Sequence, residues 1–87
     1  MNIINKVVSL LEQKYKFNSA SLTTDISEFM ANNRFDFINC KVFDKVVARE
    51  FNEGIRKILK NNSLPPISIE ILFQYLSSNN ITVLKKE

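Results

Sequence analysis

The chain has 87 residues, 45% hydrophobic and 24% charged, with 12 cations against 9 acids for a formal net charge of +3. That length allows one domain, spanning 1–87, with a thin core, because a chain this size buries only roughly 60–65% of the surface its unfolded form exposes. Histidine is absent and Cys40 and Gly54 are the sole cysteine and glycine, which excludes ordinary zinc sites, Ser-His-Asp and Cys-His nucleophile systems, and glycine-rich phosphate loops. No catalytic, cofactor-binding or metal-binding set is therefore expected, and the chain reads as a binding protein and not as an enzyme. No run approaches the roughly 18 apolar residues of a membrane span. Met1–Tyr15 lacks the cationic start and unbroken apolar stretch of a secretory leader. With one unpaired cysteine, the expected compartment is the cytoplasm. Heavy use of Ile, Asn, Lys and Phe beside scarce Arg, Ala and Gly points to an AT-rich genome, such as a low-GC bacterium, its phages or its plasmids.

In chain order, the first element is an amphipathic helix from Asn2 to Lys16. Ile3, Ile4, Val7, Val8, Leu10, Leu11 and Tyr15 share one broad arc, and Lys14 is the one misfit. A second helix is expected near Leu22–Asp25, where Asp25 and Glu28 have capping-box spacing, with Ile26, Phe29 and Met30 as its stripe. In Arg34–Ile38, Phe35 and Phe37 alternate with polar neighbours, which suits a short extended segment.

The strongest periodicity runs from Asn39 to Lys60. Phe43, Val47, Phe51, Ile55 and Ile58 recur at helical spacing, with Asn39 as N-cap and Asn61 ending the last turn. Gly54 falls on this apolar side, where another element is expected to cross closely. Leu64-Pro65-Pro66 then breaks the helix. Ser68 is the expected N-cap of a fourth helix whose stripe is Ile69, Leu72, Phe73 and Leu76, with Ile67 stapled onto Leu72. Ile81–Leu84 reads as a short β segment and Lys85–Glu87 as a solvated tail. The pairs Asn32-Asn33, Asn61-Asn62 and Asn79-Asn80 each follow a helical run and read as stops in the left-handed conformation. The expected fold is mainly α: a compact bundle of about four helices, with at most a minor two-stranded β element joining 35–38 to 81–84.

Carboxylate pairs are the only acid–base material, and Glu50 with Glu53 on one helix face does not make a cleft. The pattern that names residues is a basic ridge. At 100° per residue, Lys41, Lys45, Arg49, Arg56 and Lys60 share a roughly 100° arc with Asn52. Such a ridge is the footprint of a helix lying along phosphates, with Asn52 as a candidate base reader. Its alternative is an ordinary solvated face. The order helix, turn, helix, strand resembles the core of a winged-helix domain, but two prolines in the turn and a single terminal strand depart from that pattern. Seven phenylalanines and ten isoleucines are generous for so small an interior. Either they fill a rich core or some form an exposed patch for a partner or a homodimer seam. The expected role is a small non-catalytic regulator or inhibitor, phage- or plasmid-encoded, that binds a protein partner. The alternative is a nucleic-acid-binding module using the ridge; a third option is a subunit of a larger assembly.

Overall fold

Asparagines set most of the helix boundaries. In a computed structural model that describes residues 2–86, the elements follow in the order α1 (Ile3–Glu12), α2 (Ser19–Asn32), β1 (Phe35–Ile38), α3 (Lys45–Asn61), a 3-10 turn (Pro66–Ser68), α4 (Ile69–Ser78) and β2 (Thr82–Lys85). The side chains of Asn2 and Asn18 accept from the amides of Asn5 and Ser21 and so start α1 and α2. At the other ends, Asn33, Asn62 and Asn79 act through their amides. Each Nδ2 donates to the carbonyl four residues back, on Phe29, Ile58 and Tyr75, at 2.9, 2.8 and 2.8 Å. The left-handed residue follows one place later, as Arg34 (φ 58°), Ser63 (φ 64°) and Asn80 (φ 54°). Only the third pair therefore stops its helix with a left-handed asparagine. Leu64 and Ile81 close the ends of α3 and α4 by donating to Leu59 and Leu76, the six-to-one bond of a Schellman motif.

Three expected boundaries move, while the fourth helix starts after Ser68 as expected but without the expected capping bond. The first helix ends at Glu12, not Lys16, so the misfit Lys14 lies beyond it. The second begins at Ser19, and Asp25 is not a cap but a mid-helix residue whose Oδ2 accepts from Asn62 Nδ2 at 3.0 Å. The third begins at Lys45, not Asn39. Its cap is Asp44, whose carboxylate accepts from the amides of Val46 and Val47. The cause lies upstream: Ile38 pairs with Thr82 and the Thr82 hydroxyl donates to Cys40 O at 2.8 Å, holding residues 38–40 on the sheet and off any helix axis. At the fourth, Ser68 makes no capping bond; it is fully buried and its hydroxyl donates to Pro65 O. Ile67 is 61% exposed and staples nothing.

The four helices bury one continuous cluster. Val7, Val8 and Leu11 of α1, Leu22, Ile26 and Met30 of α2, Val47, Phe51, Ile55 and Leu59 of α3, and Ile69, Leu72 and Leu76 of α4 meet there. The antiparallel pair β1–β2 registers Phe35 with Lys85 and Phe37 with Val83, and lies against α2 and α3. Phe35, Phe37 and Phe29 surround Phe51, with ring centroids 5.7, 5.9 and 6.1 Å from it. The Phe35 and Phe37 rings meet Phe51 edge-to-face, which adds to the area term. The close crossing expected at Gly54 is present, because a Cβ there would overlap the Phe29 ring from α2. Lys85 is not part of a free tail. It ends β2, stands 5.3 Å over the Phe35 ring and pairs with Glu50 Oε2 at 3.1 Å. Glu87 lies outside the described residues.

Candidate binding surface

The basic ridge survives in part. Lys45, Arg49, Asn52, Arg56 and Lys60 lie on α3 and share an arc of roughly 80° at 100° per residue. Lys41 does not belong to it, because residue 41 precedes the Asp44 cap and sits in the connection from β1. All four helical cations are exposed, and Asn52 is half-buried. Among the described residues the one ion pair is Lys85–Glu50, so none of the four is neutralised by a carboxylate. Lys60 also has a structural reason to be there, since a cation in the last turn offsets the helix dipole. Asn52 Oδ1 accepts from Arg56 Nε at 2.9 Å. Bidentate reading of adenine takes both amide atoms, so Asn52 would have to give up that bond to act as a base reader.

A second feature was not legible as a site in the sequence. Shortening α3 removes Phe43 from its apolar stripe and leaves it 70% exposed, between Val42 and Val46, each 61% exposed. Three large apolar side chains are thus exposed in the first turn of α3 and the residues before it. The signal was Asp44 standing two and three residues ahead of Val46 and Val47, a capping position that leaves Phe43 outside the helix. The other phenylalanines are buried or packed against the core, so the apolar surplus divides into a rich interior, the exposed residues of 42–46, and the separate exposed isoleucines Ile38 and Ile67.

Beside Phe43 is an open pocket of about 240 Å³. Its walls come from Ala48 and Phe51 of α3, Phe73 and Leu76 of α4 and Val83 of β2, and Phe43 also lines it. Two polar side chains line it: Asn52, whose Oδ1 accepts from Arg56, and Thr82, whose hydroxyl donates to Cys40 O. Asn52 therefore belongs at once to the pocket and to the ridge, which makes the two features neighbours.

The paired carboxylates are not brought together. Glu50 is bonded to Lys85 and Asp25 to Asn62, while no group of three or more His, Cys, Asp or Glu converges among the described residues. Cys40 is a half-buried free thiol. No described helix is long and apolar enough to cross a membrane.

The winged-helix order also fares poorly on chemistry. The helix that such a domain lays in the major groove would be α4, yet Ile69–Ser78 contains no Lys or Arg and carries Glu70 in its first turn. β2 pairs directly with β1, and no further strand is found among the described residues. No family model matches this chain, and comparisons with the curated proteins and with the solved structures give no match either.

Proposed function

We propose that this chain is a small non-catalytic regulator or inhibitor that acts by binding a protein partner. The observation that carries the reading is the exposure of Val42, Phe43 and Val46, with Phe43 lining an apolar pocket. Leaving such side chains in water forgoes roughly 1.5–3 kcal/mol each of burial, which a partner's surface can restore. The composition suits a phage- or plasmid-encoded effector, and the unpaired Cys40 suits a reducing compartment such as the cytoplasm. Affinity capture from lysate of cells carrying the gene, with and without nuclease, tests the reading. One stoichiometric protein that survives nuclease and is lost with Phe43→Ser supports it; recovery of nucleic acid alone overturns it.

A second reading has its own observation, the four cations of the ridge on α3, Lys45, Arg49, Arg56 and Lys60, none of them in an ion pair among the described residues. On that reading the helix lies along phosphates, and duplex affinity falls with salt at a log–log slope of roughly −3 to −4. Arg49→Glu with Arg56→Glu abolishes retention and keeps the helical circular dichroism, because both side chains are exposed. Asn52→Ala relaxes sequence preference more than affinity. Absence of any retained duplex or single strand at low salt refutes this reading.

A further inference from the structure

We infer that the surface around Phe43 receives an acidic amphipathic segment of the partner, one bulky apolar side chain entering the pocket and carboxylates meeting Lys45, Arg49 and Arg56. This rests on the protein-binding reading and goes further by fixing the chemistry of the partner.

Volume and polarity give the first argument. A pocket of about 240 Å³ is larger than the roughly 150 Å³ cavity that accommodates benzene, so a leucine- or phenylalanine-sized group fits. A nucleobase suits it badly. Its ring nitrogens and carbonyls need partners once desolvated, but Thr82 and Asn52 Oδ1 are already engaged and Asn52 Nδ2 is what remains. An apolar side chain leaves nothing unsatisfied.

Charge gives the second argument. Lys41 and Lys45 bracket Val42 and Phe43 in the sequence, and Arg49 and Arg56 continue along the helix edge that Asn52 shares with the pocket. Of the nearby acids, Glu50 pairs with Lys85, Asp44 caps α3 and keeps its charge, and Glu53 lies on the same helix within about a turn of Arg49 and Arg56. Lys41, Lys45, Arg49 and Arg56 still outnumber Asp44 and Glu53, so the charge beside the pocket is positive on balance. A second copy of the chain is a poor occupant for the same reason, since a two-fold interface uses the same patch on both sides and would bring two positively charged borders together. An acidic segment satisfies both the pocket and its border, and complementarity of this kind speeds encounter and rejects wrong partners.

The experiment pans phage-displayed random linear peptides against the intact chain, then measures the selected sequences as fluorescein-labelled synthetic peptides by anisotropy. Phe43→Ser and Arg49→Glu/Arg56→Glu are assayed alongside; all three positions are exposed, and circular dichroism verifies the fold. The expected consensus is a Leu, Phe or Trp flanked by Asp and Glu. Its affinity should fall roughly thirtyfold with Phe43→Ser and roughly tenfold with the double reversal. Selection on the reversed variant should yield basic peptides instead. Peptides that depend on Phe43 but show no acidic bias and ignore the reversal overturn the inference and leave the protein-binding reading standing. A homodimer that Phe43→Ser dissociates in sedimentation overturns it in favour of a second copy. If no peptide depends on Phe43 while labelled oligonucleotides bind and lose binding on reversal, both the inference and the protein-binding reading fall. Enrichment of nothing at all also overturns the inference.

Discussion

Gly54→Ala should destabilise this protein, against the usual direction for a helix interior. Elsewhere in a helix the exchange gains about 1 kcal/mol, because alanine is the better helix former. Here the added Cβ would overlap Cζ and Cε1 of Phe29 and stand 3.0 Å from Cε2, where carbon contacts prefer roughly 3.5–4.0 Å. The ring must give way. Phe29 is only half-buried, so it can swing outward, but it then leaves Phe35 at 5.3 Å and Phe51 at 6.1 Å. Those pairs are worth about 0.5–1.5 kcal/mol each, and overpacking of this kind costs about 1–3 kcal/mol in total. Set against the helix gain, the net loss is about 1 kcal/mol. Removing the obstacle reverses the sign: in a Phe29→Ala background, Gly54→Ala should stabilise by up to about 1 kcal/mol. The coupling between the two sites is then about 2 kcal/mol. Urea titration followed by circular dichroism suits a chain without tryptophan. With a slope of about 1 kcal/mol/M, Gly54→Ala alone should lower the midpoint by about 1 M. An equal rise in midpoint in both backgrounds would refute the reasoning, since it would mean that Phe29 does not rest on Gly54.

Asn62→Ala removes bonds to Ser21, Asp25 and Ile58 and should cost about 1–2 kcal/mol, more than Asn79→Ala, which loses its bond to Tyr75 O and about 0.5–1 kcal/mol. Matched urea midpoints for the two variants would contradict the tie between α2 and the end of α3. Ser63→Gly should raise stability by several tenths of a kcal/mol, because Ser63 holds φ 64° at the end of α3, where glycine carries no Cβ penalty. A fall in thermal midpoint would argue against that conformation in solution.

Periodicity carried most of the fold. The stripes Val7–Val8–Leu11, Val47–Phe51–Ile55 and Ile69–Leu72–Leu76 are buried where helical spacing puts them, and the pairing of 35–38 with the last segment follows from two short alternating runs. Boundaries were harder, because an apolar residue in phase with a helix looks helical whether or not the backbone is. Phe43 is the clearest example. It continues the phase of Val47 and Phe51, yet a long-range bond from the Thr82 hydroxyl to Cys40 O and a local bond from the Val46 amide to the Asp44 carboxylate keep residues 39–44 out of α3. Asp25 misled for the reverse reason, since its partner Asn62 is 37 residues away and local spacing suggested Glu28. The ridge was legible because it depends only on positions along one helix, and it lost Lys41 with the same six residues. The pocket was not legible at all: its walls come from α3, α4 and β2, which only the tertiary fold brings together.

The central claim is that the surface at Phe43 binds a protein. Site-specific photo-crosslinking in cells tests it most directly, with benzoylphenylalanine in place of Phe43 or, as a control, of Glu12, an exposed residue on α1, which contributes nothing to the pocket. One discrete protein adduct from position 43 and none from position 12 is the predicted result. Adducts to nucleic acid alone, or the same protein adduct from both positions, would contradict it.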